Sequence, residues 1–181
     1  MCDADCEAAA APARRTLYAF DFDRTLVLTH DSSKWEELTG APWTEGNWFA
    51  DARSLAVHSP GPAMAAYFEA VKDDDAVIVI HTGRAAVMRE PVLALLATYG
   101  VTRFHEAGFC TKRRKALKQK VGRLMALIAA HDIGRVVLYD DKQKNVERFR
   151  AIAADVPKGV TVEVYHVGPA ADAADEDEAS E

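Results

Sequence analysis

The chain has 181 residues, 49% of them hydrophobic and 28% charged, and its formal net charge is −6. This length is enough for one domain with a substantial buried core, and no apolar run approaches the roughly 20 residues that a transmembrane helix needs. The composition therefore argues against a membrane-spanning protein, and the lack of a broadly basic sequence argues against tight binding of duplex nucleic acid.

The two ends of the chain differ in composition from its middle. Residues 1–15 are rich in alanine, and the last twelve residues carry six acidic side chains and no basic one. Such composition is typical of disorder, so we predict a disordered leader at 1–15, one folded domain at 16–168 and a disordered acidic tail at 169–181. Three cysteines are too few for a disulfide framework, and no secretory signal is recognisable; both observations predict an intracellular, cytoplasmic protein.

The first predicted strand covers residues 16–21 and ends at two carboxylates, Asp21 and Asp23. In an extended backbone these side chains point in the same direction, and like charges held together are costly unless a cation or a phosphate chemistry uses them. Ligands bind at the carboxyl ends of strands in open α/β sheets. This stretch therefore predicts a divalent metal and a phosphoryl group, and the simpler alternative is a solvated turn.

Residues 24–59 form a long segment that is rich in aromatic residues and turn formers. Long segments between elements are usually functional or contain small elements of their own. We predict a short aromatic flap and no large cap domain, which leaves the site open. Trp48 and its aromatic neighbours have two interpretations: they stack on a nucleic-acid base, or they form the core of a loop-rich segment.

The rest of the chain predicts helices and strands in alternation. In chain order we expect a helix after Pro62, a strand at 76–80, a helix at 85–99, a strand at 101–104, a helix at 112–130, a strand at 135–139, a helix through Ile152 and a strand at 161–167. This alternation predicts an α/β fold, a Rossmann-like three-layer sandwich with a mostly parallel central sheet. The strand ends at Asp21, Thr82 and Asp141 then lie on one edge.

Two further positions fit a phosphate site. Thr82 precedes Gly83 at the end of the second long strand, where a hydroxyl and the N–H groups of the next helix can hold phosphate oxygens, although an ordinary helix cap is the alternative. The basic segment 112–120 offers a cation to neutralise the phosphoryl group. We favour Lys118 and then Lys115, while most of this segment is expected to be a solvated face.

These side chains suit the hydrolysis of a phosphate monoester. Asp21 is predicted to attack phosphorus and form an aspartyl-phosphate. Asp23 is predicted to protonate the leaving oxygen and later to take a proton from the attacking water. Mg²⁺, which prefers oxygen ligands, is the expected cofactor, with Asp141 as the third anionic ligand.

The stretch Asp21-Phe22-Asp23-Arg24-Thr25 resembles the first motif of the haloacid dehalogenase-like phosphohydrolases, although Arg24 stands where that family usually has glycine. Thr82, Lys118 and Asp140-Asp141 resemble the family's second, third and fourth motifs. The resemblance implies the haloacid dehalogenase-like fold and a Mg²⁺-dependent phosphatase activity.

A narrower likeness is to the Swiss Army knife RNA-repair-like subgroup and to the phosphatase domains of polynucleotide kinase-phosphatases. It rests on the segments 34–40 and 46–51, on Thr82-Gly83-Arg84 and on Tyr139-Asp140-Asp141. This likeness implies a phosphorylated RNA or DNA end as the substrate. At the metal, Asp140 and Asn145 would support Asp141.

Taken together, the motifs and the likeness assign three sets of residues. The expected catalytic residues are Asp21, Asp23, Thr82 and Lys118. The expected metal ligands are Asp21, Asp23, Asp140 and Asp141. The expected substrate-binding residues are Arg24, Thr25, Gly83, Arg84, Lys115 and Trp48. Two other functions stay open: a phosphatase of small metabolites or nucleotides, and a catalytically inactive phosphate-binding adaptor module.

Overall fold

A computed structural model describes residues 14–44, 46–111 and 115–168. Within them the strands are Arg15–Asp21 (β1), Val27–Thr29 (β2), His58–Pro60 (β3), Val77–Ala85 (β4), Glu106–Cys110 (β5), Ile133–Asp140 (β6) and Thr161–His166 (β7). The α-helices are Ser32–Thr39 (α1), Met64–Ala70 (α2), Arg89–Thr98 (α3), Ala116–Ala130 (α4) and Gln143–Ala151 (α5). The predicted disorder at 1–13 and 169–181 lies outside the described residues.

Five of these strands form one parallel sheet in the order β5-β4-β1-β6-β7. The central strand β1 lies between β4 and β6, with Phe20 opposite Ile80 on one side and opposite Tyr139 on the other. Its neighbours are continuous apolar runs, as expected for strands that are buried on both faces. The predicted α/β class and mostly parallel central sheet are confirmed.

Helices cover both faces of the sheet and enclose two separate apolar cores. One core packs α2 and α3 against one face through residues such as Tyr67, Leu96 and Ile80. The other packs α4 and α5 against the opposite face, where Leu124 and Phe149 lie. Successive residues of a strand point to opposite faces, so the three inner strands β4, β1 and β6 contribute to both cores.

The segment at 24–59, predicted to form a short flap, contains small elements of secondary structure. Its ends pair as a two-stranded antiparallel hairpin, β2 with β3, and α1 and two 3₁₀ turns, Trp48–Ala50 and Ala52–Leu55, lie between them. We call residues 30–57 the insert. Gly61 follows β3 and lies so close to the loop after β1 that an added Cβ would come within 2.2 Å of the Thr25 carbonyl oxygen, so this position requires glycine.

The three tryptophans of the insert pack edge to face around one another. The centroid of the Trp43 ring lies 5.6 Å from that of Trp35 and 4.8 Å from that of Trp48, and Trp48 Nε1 donates a hydrogen bond of 2.9 Å to the His30 carbonyl. This arrangement favours the interpretation of the tryptophans as a small local core over that of a free stacking platform.

The strand predicted at 101–104 is wrong, since the third strand of the main sheet in chain order, β5, begins only at Glu106. The hydroxyl of Tyr67 explains the difference: it accepts a hydrogen bond from the Arg103 N–H at 3.0 Å and donates one to the Arg103 carbonyl at 3.1 Å. A side chain thus takes both backbone groups that a neighbouring strand would otherwise use.

The strand predicted at 76–80 is longer than expected. It continues to Ala85, which lies opposite Cys110 of β5, so the helix predicted from residue 85 is replaced by a 3₁₀ turn at Ala86–Met88 and then α3. Helix α4 begins at Ala116, and the predicted start at 112 falls on residues outside the description. No helix in the described ranges is both long and apolar enough to cross a membrane.

Candidate active site

In three adjacent strands, the side chains on the sheet face that packs against α4 change from apolar to polar towards the carboxyl edge of the sheet. The alternation runs through Leu17, Ala19 and Asp21 in β1, through Val77, Val79 and His81 in β4, and through Val136, Leu138 and Asp140 in β6. The apolar members lie in the core beneath α4, and the polar members follow at the carboxyl edge. The sequence order of each strand therefore brings two carboxylates and an imidazole to one place.

Lys120 of α4 joins the two carboxylates. Its Nζ donates hydrogen bonds of 2.8 Å to Asp21 Oδ1 and of 2.8 Å to Asp140 Oδ2. All three side chains are buried, with 4%, 7% and 1% of their surface exposed for Lys120, Asp21 and Asp140. A buried ammonium shared by two carboxylates offsets much of the cost of burying each charge.

The expected cation at this position is corrected from Lys118 to Lys120. Lys118 and Lys115 are exposed, whereas Lys120 is buried. The helical spacing carried a signal for this, because Lys120 lies four residues before Leu124 and eight before Ile128, on the apolar side of α4. A charged residue inside the apolar stripe of a helix needs a partner, and the strand-end carboxylates supply it.

Asp140 and Asp141 have different surroundings. Asp140 Oδ1 accepts hydrogen bonds from Asn145 Nδ2 at 2.8 Å and from the Lys142 N–H at 3.0 Å, so both of its oxygens are engaged. Asp141 Oδ1 is buried and has no hydrogen-bond partner among the described atoms. Asn145 therefore holds Asp140 in place, whereas the Oδ1 atom of Asp141 is available to bind a cation.

Burial and mutual repulsion act on the carboxylates of this cluster. Burial raises the pKa of Asp21 well above its usual value, with Lys120 opposing and Asp140 adding to the rise. The pKa of Asp141 is raised by burial and by Asp140. Burial alone would lower the pKa of Lys120, but Asp140 and Asp21 raise it above its usual range.

The cluster fits a divalent metal ion. One carboxylate oxygen from each of Asp21, Asp140 and Asp141 lies within 4.8 Å of the others. The Lys120 ammonium bonds the buried carboxylates of Asp21 and Asp140, and the half-buried Asp141 adds a third carboxylate with one buried oxygen that has no hydrogen-bond partner among the described residues. An all-oxygen donor set suits Mg²⁺.

The side chain of Asp23, expected as a metal ligand, does not belong to this cluster. Its Oδ1 accepts hydrogen bonds from Arg84 Nη2 at 2.8 Å, from Arg84 Nε at 3.0 Å and from Thr29 Oγ1 at 2.8 Å. Because the guanidinium and the hydroxyl occupy this oxygen, the carboxylates that lie close enough together to hold a metal ion are those of Asp21, Asp140 and Asp141.

Arg84 is the largest fully buried side chain of the described residues. Its guanidinium carbon lies 5.6 Å from the centroid of the Phe22 ring and 5.4 Å from that of Phe49. Its remaining terminal nitrogen, Nη1, donates a hydrogen bond of 2.6 Å to Ser54 Oγ in the insert. Arg84 was expected to bind substrate, and the structure instead places it between Asp23 and the insert.

Thr82 lies inside β4 and next to Asp23. Its hydroxyl accepts a hydrogen bond of 3.1 Å from the Arg84 N–H and approaches Asp23 Oδ2 at 3.4 Å. Thr25 is also fully buried and its hydroxyl has no hydrogen-bond partner among the described residues, while its carbonyl accepts a hydrogen bond from the Ala63 N–H at 3.0 Å. Thr82 thus lies next to Asp23, and Thr25 stabilises the loop after β1.

The other expected substrate-binding residues are scattered. Arg24 is exposed, and it is the non-glycine residue with a positive φ, 56°, among those described. The pKa of Asp31 is lowered chiefly by the hydrogen bond from the Ser33 side chain, and the charge of Arg24 adds to this. The pKa of Asp141 is raised chiefly by burial, and the charge of Arg24 is among those that oppose the rise. Gly83 lines a small cleft of about 90 Å³ together with Phe49 and Thr111.

Two buried or half-buried histidines were missed from the sequence. His81 is 2% exposed, its Nε2 has no hydrogen-bond partner within the described ranges, and it follows the same alternation as Asp21. His166, at the end of β7, makes a hydrogen bond of 2.8 Å between its Nε2 and the Asp141 carbonyl, which fixes the backbone after β6. The signal for His81 was its position one residue after an apolar strand.

No protein-family model matches the chain, and a comparison with curated protein sequences found no match.

Proposed function

We propose that this protein is a Mg²⁺-dependent phosphomonoester hydrolase of the haloacid dehalogenase-like type, which works through an aspartyl-phosphate on Asp21. The observation that carries the proposal is the convergence of Asp21, Asp140 and Asp141 with Lys120 at the carboxyl edge of a parallel sheet. These residues come from three separate parts of the chain. Burying their charges carries a large desolvation penalty, and clusters of buried charges of this kind are concentrated at functional sites.

The chemistry follows from the charges and donors present. Asp21 Oδ2, the oxygen not bonded to Lys120, would form a bond to phosphorus while the bond to the leaving oxygen breaks. Lys120 would hold Asp21 in place and stabilise negative charge on the transferred group. When bound, Mg²⁺ would neutralise charge on the phosphoryl oxygens.

Asp23 would carry the protons of the two steps. It would give a proton to the leaving oxygen as that oxygen takes the electron pair of its bond to phosphorus. It would then accept a proton from the water that attacks phosphorus, as the bond from phosphorus to Asp21 breaks. The balance is one phosphate monoester and one water giving one alcohol and one inorganic phosphate.

For the substrate we propose a phosphorylated RNA or DNA end, with small metabolites or nucleotides as the second candidate. The short insert leaves the Asp23 side chain 19% exposed, which suits a polymer end. Because the tryptophans pack against one another, they are less suited to stacking on a base, and small metabolites or nucleotides are kept as the second candidate substrate.

The test is a substrate panel measured with Mg²⁺ and with a chelator. It contains 3′-phosphorylated oligonucleotides, free nucleotides, sugar phosphates and an aryl phosphate. The proposal predicts hydrolysis that needs the metal, with the oligonucleotide hydrolysed at the highest kcat/KM. A preference for sugar phosphates or nucleotides would select the second candidate. Binding of phosphorylated compounds without any turnover would identify an adaptor module instead.

A further inference from the structure

The carboxylate of Asp23 is held through one oxygen. Oδ1 accepts three hydrogen bonds, two from Arg84 and one from Thr29, while Oδ2 has only a longer contact of 3.2 Å to Arg84 Nε and one of 3.4 Å to Thr82 Oγ1. Guanidinium nitrogens are donors only. Oδ1 is therefore engaged as an acceptor, and Oδ2 is the oxygen that can exchange a proton with another molecule.

The guanidinium that holds Oδ1 is itself held by the insert. Arg84 has no exposed side-chain surface; Phe22 covers it from the loop after β1 and Phe49 from the insert. Ser54 accepts the hydrogen bond from Nη1. In the described part of the chain, the side chains that contact the guanidinium are therefore those of Asp23, Phe22 in the loop after β1, and Ser54 and Phe49 in the insert.

We propose that Arg84 is a positioning residue: it orients Asp23 so that Oδ2 faces the leaving group, and it makes this orientation depend on Ser54 and Phe49 of the insert. The inference deepens the function proposed above and rests on it. A planar, bidentate donor fixes a carboxylate in direction as well as in place. A lysine at residue 84 would keep the positive charge but lose the direction.

The leaving group distinguishes positioning from a structural role. A nitrophenolate leaves without a proton, whereas an alkoxide needs one from Asp23. If Arg84 acts by aiming Oδ2, its loss must slow alkyl phosphates much more than nitrophenyl phosphate. If Arg84 only stabilises the fold, its loss must slow every substrate by a similar factor.

The experiment compares kcat on a series of phosphate esters with rising leaving-group basicity, for the wild type, Arg84→Lys, Thr29→Val and Ser54→Ala. We expect Arg84→Lys and Thr29→Val to lose about 100-fold on an alkyl phosphate and less than about 5-fold on nitrophenyl phosphate. Ser54→Ala should show the same pattern to a smaller extent. Asp23→Asn should show the largest difference between the loss of kcat on the alkyl phosphate and the loss on nitrophenyl phosphate. Adding Arg84→Lys to Asp23→Asn should increase this difference only slightly.

The matched control is Arg135→Lys. Arg135 also makes a bidentate pair, with Glu163 at 2.7 and 2.8 Å, but it lies at the other end of β6. The Arg135→Lys substitution should leave kcat unchanged on every ester of the series. Thr29→Val and Ser54→Ala keep the test sharp if Arg84→Lys does not fold. Equal losses across the series, or no loss, would overturn the inference while the hydrolase stands; a wild type without metal-dependent turnover would overturn both.

Discussion

Lys120 and Asp21 are 99 positions apart in the chain, yet the lysine Nζ lies 2.8 Å from the aspartate Oδ1. Both side chains are buried. The contact joins the middle strand of the sheet to the helix that covers it, and the same ammonium reaches Asp140 of the neighbouring strand. One side chain thus connects the predicted nucleophile to the proposed metal site.

Removal of this ammonium should be costly. Lys120→Met leaves two carboxylates buried without their cation, and we expect it to lower the free energy of unfolding by about 3–5 kcal/mol. Urea unfolding in the presence of a chelator measures the change. Lys118→Met is the matched control on the same helix; because Lys118 is exposed, its effect should stay within about 0.5 kcal/mol. Equal losses in the two variants would contradict the assignment of Lys120.

Mg²⁺ should stabilise the folded protein through Asp141. A ligand at 100 times its Kd adds about 2.7 kcal/mol to the free energy of unfolding, so the Tm of the wild type should rise with Mg²⁺. Asp141→Asn should lose most of this rise, because it replaces the buried unpartnered oxygen that marks the site. Asp155→Asn, an exposed position, should keep it. A rise of the same size in Asp141→Asn would place the metal elsewhere.

The backbone at Arg24 predicts an unusual order of stability. Its φ of 56° is in the left-handed region, which costs residues other than glycine about 1–2 kcal/mol. Arg24→Gly should therefore be more stable than Arg24→Ala by about 1 kcal/mol, although glycine is normally the less stable choice. Thermal unfolding of both variants measures the difference. Greater stability of the alanine variant would show that the left-handed conformation is not adopted.

His81 should make stability fall in mild acid. Burial, with Lys120 and Arg123 close by, lowers the pKa of His81 to about 3, whereas the unfolded chain takes up the proton near pH 6.5. The contribution of His81 is therefore complete above about pH 6.5 and is lost progressively as the pH falls towards the folded value.

We compare the wild type with His81→Gln by urea unfolding at pH 7 and pH 5, with a chelator present. Between these values the wild type should lose about 2 kcal/mol more than the variant, from the difference between 6.5 and 5 in pH and the energy of one pKa unit. His30→Gln, at a half-buried position, serves as control and should follow the wild type. Parallel losses in all three proteins would show that His81 takes up its proton without unfolding.

Sequence patterns predicted the parallel sheet because its strands have a local signature. The β-branched run of β4 and the apolar runs of β1 and β6 end in polar residues, and the parallel arrangement brings those ends together. Asp21 and Asp140 could be expected at one edge for this reason. The strand at Glu106–Cys110 has no such signature, and the Tyr67 hydroxyl, a tertiary contact, decides where it begins.

The site details that the sequence did not predict depend on packing between distant segments. The basic run of 112–120 contains several lysines, and only the phase of α4 against the sheet selects Lys120. Likewise, the pairing of Asp23 with Arg84 needs the insert to fold back on β4. The spacing within α4 places Lys120 on the apolar side of the helix, but it does not identify the carboxylates that Lys120 contacts, and no spacing indicates the pairing of Asp23 with Arg84.

Whether Asp21 accepts the phosphoryl group can be decided by comparing the rates at which the wild type and Asp21→Asn hydrolyse an aryl phosphate in Mg²⁺. We expect turnover by the wild type that a chelator abolishes, and a loss of at least about 1,000-fold in the variant, since a nucleophile acts as part of a unit. Equal rates for the two proteins would exclude Asp21 as the nucleophile.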